Sequence, residues 1–102
     1  MKQLDISKRF TKGQLKLEKI LNGIGFSTVL EYEVGNYSID IFVPELNTGF
    51  EYDGAFHFRK RDELRDKNLM HLYNIKVVRI KGEGLNERTV RQKVAETFNL
   101  SD

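Results

Sequence analysis

The segment Tyr37–Phe58, YSIDIFVPELNTGFEYDGAFHF, places acidic residues inside runs that otherwise favour β-strands. Asp40 stands between two isoleucines, although aspartate is normally disfavoured in a strand. If Thr48–Asp53 is extended, the alternation of side chains puts Glu51 and Asp53 on the same side. Two carboxylates about 6–7 Å apart on one strand face repel each other unless a cation, a base or solvent relieves them. This arrangement is typical of a metal-dependent hydrolytic site.

The chain of 102 residues has the size of one domain with a modest hydrophobic core, so we treat 1–102 as a single domain. Its hydrophobic fraction of 39% favours a globular protein over a disordered one. The net charge of +2 permits a nucleic-acid partner without requiring one. No apolar run has the length of a membrane span and the N-terminus lacks a signal-peptide core, so we expect a cytoplasmic protein and no membrane partner.

The chain has no cysteine. Disulfide bonds, thiolate zinc sites and cysteine nucleophiles are therefore excluded as the basis of its fold or chemistry.

Hydrophobic periodicity and turn residues predict the order α-β-β-β-α-β-α. The predicted elements are a helix capped by Thr11 and ended by Gly25, strands over 26–34, 37–43 and 49–53, a helix over 60–74, a strand over 76–80 and a helix capped by Asn86. The first strands form antiparallel hairpins, and the helical crossover returns the last strand parallel to a neighbour. We therefore expect an α/β fold with a small mixed sheet flanked by helices.

Asp40 lies on the second predicted strand, and Glu51 and Asp53 lie on the third. Neighbouring strands are about 4.8 Å apart, so a suitable register brings the three carboxylates together. Hard oxygen ligands of this kind suit Mg²⁺ or Mn²⁺, which share their coordination shell with phosphate oxygens. The alternative is that these acids face solvent on a one-sided sheet.

These residues also resemble a known family. The run Asp40-Ile-Phe-Val-Pro44, then Phe50-Glu-Tyr-Asp-Gly54, then His57, is similar to the PD-(D/E)XK nuclease superfamily, especially its small very-short-patch-repair-like endonucleases. The strand Val77–Ile80 matches the family's hydrophobic-hydrophobic-Arg-Ile strand, and the resemblance spans residues 11–98. It implies a restriction-endonuclease-like fold.

The resemblance implies roles for the acids. Asp40 would be the central metal ligand, and Glu51 and Asp53 would stand where the superfamily has its (D/E)-x-K pair. Asp53 replaces the lysine that helps to activate the attacking water, so the base must be another group. His57, or hydroxide generated at the metal, is the candidate, since histidine accepts a proton near neutral pH. A lone histidine is otherwise more often a packing or hydrogen-bonding residue.

In relatives a glutamate of the first helix often completes the acidic site. Gln14 occupies that place here, and Glu18, one turn further on, is the candidate substitute. An amide oxygen of Gln14 is able to coordinate a cation or hold a water. The alternative for Glu18 is an exposed residue between the lysines of the same helix.

Three consecutive cations, Arg59, Lys60 and Arg61, follow the acidic segment. Cations beside an acidic metal site suit the positioning of a phosphate backbone, so we predict that these residues contact DNA. Asp62 is a further candidate, either as a partner of His57 or as an extension of the acidic cluster. The alternative interpretation of this charged run is a solvated helix face.

The function that the resemblance implies is a Mg²⁺- or Mn²⁺-dependent DNA endonuclease that hydrolyses phosphodiester bonds. A homodimer would suit a double-strand cutter. Two alternatives stay open. The first is a nuclease-fold module that binds DNA and has weakened chemistry, as the changes at Asp53 and Gln14 suggest. The second is an interaction domain with no nucleic-acid role, which leaves the acid within the second strand unexplained.

Overall fold

The computed structural model describes residues 11–53 and 60–98. Its elements, in chain order, are α1 (Lys12–Ile24), β1 (Val29–Val34), β2 (Tyr37–Val43), a 3₁₀ turn (Pro44–Leu46), β3 (Thr48–Tyr52), α2 (Lys60–Tyr73), β4 (Lys76–Ile80), a second 3₁₀ turn (Gly82–Gly84) and α3 (Glu87–Thr97). The predicted order of helices and strands is confirmed. In the described ranges, no helix combines the length and apolar character needed to cross a membrane.

Helix α1 begins and ends at the residues that its sequence predicts. The Thr11 hydroxyl accepts a hydrogen bond from the Gln14 N–H, and the Gln14 amide oxygen accepts one from the Thr11 N–H, which forms a capping box. Gly25 ends the helix with a φ of 120°, a conformation that glycine adopts at low steric cost. Leu17 and Leu21 form the buried face of the helix.

The four strands form one sheet in the order β1-β2-β3-β4. The β1–β2 and β2–β3 pairs are antiparallel, whereas β4 returns parallel to β3 after the α2 crossover. This is the mixed sheet that the sequence predicts. It arises because β4 reaches β3 through a helix rather than a tight turn.

Two hydrophobic clusters cover opposite faces of the sheet, which gives three layers. One cluster joins the sheet to α1 and α3 and contains Leu17, Leu21, Ile41, Val43, Phe50, Val78, Ile80, Val90 and Val94. The other joins the sheet to α2 and contains Ile39, Phe42, Leu69 and Ile75. The structure is therefore a sheet with helices on both sides, as expected for the predicted fold class.

Side chains do not alternate regularly along β2. Ile39 belongs to the α2-side cluster, whereas Ile41 belongs to the opposite cluster, although period-2 alternation puts the two on one face. The change occurs at Asp40, which lies between the β1–β2 pairs Leu30–Ile41 and Tyr32–Ile39. Glu31, the residue between these β1 positions, has a φ of 53°, so the hairpin departs from regular β geometry beside Asp40.

The apolar residues of α2 are only partly buried. Leu69 is fully buried against the sheet, but Leu64 and Leu72 are each 61% exposed. The helix therefore contacts the sheet along a narrow line, and its polar residues supply much of the contact with the sheet.

Candidate functional site

Glu51 is the centre of a compact group of charged side chains on the α2 face of the sheet. It lies in β3 and is 9% exposed. Arg65 of α2 contacts it with 2.6 Å between Nη2 and Oε2, and Arg79 of β4 contacts it with 3.4 Å between Nη1 and Oε1. Arg65 also donates to the Ser38 carbonyl of β2. The buried Glu51 carboxylate of β3 thus contacts α2 and β4 directly, and Arg65 extends the group to β2.

Arg79 reaches this group because the parallel register sets it opposite Glu51. Its Nε and Nη2 donate to the two oxygens of Asp66 at 3.1 and 3.0 Å, which is a two-pronged guanidinium–carboxylate contact. Its Nη1 lies 3.2 Å from Oδ1 of Asp53. Burial opposes its charge, but the charges of Asp66 and Glu51 outweigh that effect and raise the pKa of Arg79.

Burial lowers the pKa of a guanidinium but raises the pKa of an acid. Removal from water, followed by the negative charge of Asp40, raises the pKa of Glu51 above its usual value, against the opposing effect of Arg65 and Arg79. Burial also raises the pKa of Asp66, again against the effect of both arginines. Desolvation therefore destabilises the charged form of these acids, and the guanidinium contacts offset part of that cost.

Asp40 differs from the other acids of the group. It is half-buried and close enough to Glu51 for its charge to act on the pKa of that residue. Within the ranges that the structure describes, Asp40 forms no hydrogen bond and no ion pair. Among the described residues, therefore, no cation competes for the Asp40 carboxylate.

The residues predicted as accessory have other partners. The side-chain oxygen of Gln14 is engaged in the capping box of α1. A carboxylate oxygen of Glu18 accepts a hydrogen bond from the Thr28 hydroxyl at 3.1 Å. Asp62 is half-buried in the first turn of α2.

The remaining predicted residues lie largely outside the described structure. His57 and Arg59 fall in the segment 54–59, beyond the described residues. Lys60 and Arg61 belong to the first turn of α2, but their side chains are not described. The roles predicted for these four residues stay predictions.

Three residues of the site, Arg65, Asp66 and Arg79, are not predicted from the sequence. Arg65 and Asp66 lie in a run that is typical of a solvated helix face, and no periodicity distinguishes them from their charged neighbours. Arg79 has a usable signal. Once β4 is paired in parallel with β3, a one-to-one register sets this arginine opposite Glu51.

The donor set limits the kind of cation that fits. In the described ranges, no group of three or more acidic, histidine or cysteine residues is arranged to hold a metal ion. Mg²⁺ commonly binds through one or two carboxylates and completes its shell with water and phosphate oxygens. Asp40, with Glu51 or Asp53 beside it, fits that smaller requirement. A cation at Glu51 or Asp53 would share the carboxylate with a guanidinium.

Comparison with known proteins supports the fold assignment. No protein-family model matches the sequence, and a search of curated proteins finds no significant match. Among solved structures, the chain is similar to the catalytic domain of the homing endonuclease I-Bth0305I, with a TM-score of 0.64. The match covers 90% of this chain and 100% of that domain. At 14% identity, the two share a fold, a mixed sheet flanked by helices.

Proposed function

We propose that this protein is a metal-dependent endonuclease that hydrolyses DNA phosphodiester bonds. The observation that carries the proposal is the proximity of three acids: Asp40 acts electrostatically on the nearly buried Glu51, and Asp53 contacts the same arginine as Glu51. Burying an acid is costly because its charge loses hydration, and acids that carry this cost are concentrated at functional sites. The shared fold with an endonuclease catalytic domain adds support.

Asp40, Glu51 and Asp53 are the residues that would hold Mg²⁺ or Mn²⁺ in this proposal. The ion would neutralise charge on the phosphodiester and favour ionisation of the attacking water. Arg65 and Arg79 hold Glu51 and Asp53 in fixed orientations. His57, beyond the described residues, is the proposed base that accepts the proton of the water.

Cleavage of supercoiled plasmid, single-stranded DNA and branched DNA tests the proposal. Each substrate is incubated with Mg²⁺, with Mn²⁺ and with a chelator, using wild type and Asp40→Ala. We expect cleavage only with metal, and a loss of at least about 100-fold in Asp40→Ala, since the variant removes a carboxylate from the site. Glu33→Ala, at an exposed acid of β1, is the matched control and should cleave like wild type.

Two results would contradict the proposal. Binding of DNA without cleavage in every metal would exclude the nuclease, and equal cleavage by wild type and Asp40→Ala would exclude this site. A dependence of the cleavage rate on a group titrating near neutral pH that disappears in His57→Gln would support His57 as base.

A DNA-binding module with weakened chemistry is the second candidate function. It is favoured by the guanidiniums of Arg65 and Arg79, which occupy Glu51 and Asp53 in the place of a metal ion. Calorimetric titration with Mn²⁺ separates the two candidates. Metal binding that is abolished in Asp40→Asn favours the enzyme, whereas DNA binding with no metal binding favours the module.

Two smaller parts of the proposal concern the surroundings of the site. Arg59, Lys60 and Arg61 are proposed to contact phosphates, and Asp62 to support His57. A homodimer is proposed for double-strand cleavage, because one site of this size cuts one strand at a time. Light scattering of the protein with and without DNA measures the oligomeric state, and a monomer bound to DNA would exclude the dimer.

A further inference from the structure

The outer side of β4 borders two open grooves. One, of about 510 Å³, is lined by the strand positions Lys76 to Arg79 together with α2 and α3. The other, of about 430 Å³, is lined by positions Arg79 to Lys81 and includes Asp53. Lys93 of α3 lines both, so they form one continuous feature, here called the β4 groove. This groove leads along the sheet edge to the acids of the candidate site.

The floor of the β4 groove offers a backbone donor. In the sheet formed by the described residues, β4 is an edge strand with β3 on its other side. The Ile80 carbonyl accepts a hydrogen bond from the Asp53 N–H at 2.8 Å, so the Ile80 peptide group faces β3. Since peptide groups alternate along a strand, that of Lys81 faces the groove. Backbone N–H groups are common phosphate donors in protein–DNA complexes.

Two lysines of the groove, Lys81 and Lys93, have no acidic partner among the described residues. Both residues are exposed. Lys76 is held in position, because its Nζ donates to the Thr97 carbonyl at 3.3 Å and lies 5.0 Å from the centre of the Phe98 ring.

Three of the four acids that line the groove contact a cation. Asp53 and Asp66 contact Arg79, and Glu63 pairs with Lys67 at 3.4 Å. Glu83 is the acid of the groove that has no cationic partner in the described chain. The lining of the groove contains five cations and four acids, so its formal charge is +1.

We infer that the β4 groove binds the phosphodiester backbone of DNA and leads it to the acids around Glu51. The inference rests on the proposed function, and it adds a DNA-contacting surface distinct from Arg59, Lys60 and Arg61. Lysines contact phosphates as point charges without reading the base sequence. The groove therefore contributes affinity and orientation.

Binding of a fluorescein-labelled DNA duplex in the presence of a chelator tests the inference, because cleavage is then prevented. We compare wild type with the double variant Lys81→Gln/Lys93→Gln. Removing one lysine–phosphate interaction reduces the slope of log K against log salt by about 0.9. The double variant should therefore lower the slope by about 1.8 and weaken binding on the order of 50-fold at about 0.1 M salt.

Two further variants make the test specific to the groove. Lys16→Gln/Lys19→Gln removes the same charge from positions of α1 outside the groove, and we expect little change in the slope. Glu83→Gln removes the uncompensated acid and should strengthen DNA binding several-fold. All three variants alter side chains outside the hydrophobic clusters, and circular dichroism verifies that they stay folded.

The outcomes separate this inference from the function on which it rests. A loss confined to the groove lysines, with a gain in Glu83→Gln, supports the β4 groove. If wild type binds DNA but the groove and α1 double variants lose equal affinity, the inference is wrong and the proposed function stands. If wild type binds no duplex, the inference is wrong, and cleavage of supercoiled, single-stranded and branched DNA with metal decides the proposed function separately.

Discussion

Arg79 organises the site at the scale of single residues. Its guanidinium contacts Asp66, Asp53 and Glu51 at distances from 3.0 to 3.4 Å, and its side chain is 16% exposed. Breaking such a partly buried network by removing one partner leaves other charges uncompensated in a medium that solvates them poorly. The stability lost on removing Arg79 therefore includes the cost of leaving its three acidic partners without its charge, as well as the loss of its own contacts.

Arg79→Met keeps much of the side-chain volume and removes the charge. We expect it to lower the free energy of unfolding by about 3 kcal/mol, the usual cost of breaking a buried ion pair. Urea denaturation measures the change. Arg91→Met is the control, because Arg91 forms an exposed pair with Glu87 at 2.9 Å and such pairs contribute less than about 1 kcal/mol. Equal losses in the two variants would show that the network adds no stability.

Glu51 makes stability depend on pH. Its pKa is raised above the ordinary 4.5 in the folded state, so the folded protein binds this proton more tightly than the unfolded chain. The contribution of Glu51 to stability is therefore largest below pH 4.5 and is lost as pH rises to the folded pKa. Glu51→Gln removes this titration.

We expect the free energy of unfolding of Glu51→Gln to fall less than that of wild type between about pH 4 and pH 7. Urea denaturation at several pH values measures the two curves. Glu33→Gln, at an exposed position of β1, should follow the wild-type curve. Parallel curves for wild type and Glu51→Gln would show that Glu51 titrates at its ordinary value.

At the scale of elements, α1 contains two glycines with opposite surroundings. A Cβ at Gly13 would lie 2.1 Å from Cε2 of Tyr52, whereas a Cβ at Gly23 would meet nothing within 4 Å. The glycine at position 13 therefore permits close packing of the first helical turn on the residue that follows Glu51. Gly23 has no such packing role and only weakens the helix.

Gly23→Ala should stabilise the protein by about 1 kcal/mol, because alanine is a better helix former than glycine. Gly13→Ala gains the same propensity but forces the Tyr52 ring to move, which costs about 1–3 kcal/mol. Thermal unfolding of the two variants gives the comparison. A stabilising Gly13→Ala would mean that the ring of Tyr52 moves away without cost.

At the scale of the whole molecule, two clusters on opposite faces of one sheet share the same strands. Phe42 and Ile41 are neighbours in β2 but belong to different clusters. Loss of packing on one face of the sheet therefore also disturbs the strands that pack against the helices of the other face. We expect the described domain to unfold in one cooperative step.

Leu69→Ala tests this coupling from the α2 side. The residue is fully buried, so the variant should lose about 2–5 kcal/mol. Fluorescence from the tyrosines and far-ultraviolet circular dichroism should report the same lowered midpoint. Leu72→Ala, at a position that is 61% exposed, is the control and should change stability by less than about 1 kcal/mol. Different midpoints for the two probes in Leu69→Ala would contradict a single cooperative unit.

Local patterns predict the elements of this protein well. The Thr11 and Asn86 caps and the Gly25 end are interactions within a few residues, so the sequence contains their whole cause. The antiparallel pairing of β2 with β3 also follows from the short connection between them. Which apolar residues of α2 are buried is harder to predict. Hydrophobicity indicates which residues are able to pack and not which of them find a partner.

The candidate site divides in the same way. The sequence alone indicates Asp40, Glu51 and Asp53, because acids within strands are unusual whatever surrounds them. Only the tertiary structure adds Arg79 and Asp66, since the contacts of Arg79 with Asp66 and Asp53 join residues that lie 13 positions or more apart in the chain. A charge acts through space on whichever group the fold brings near it, and that distance is set by strand register and helix docking rather than by local sequence.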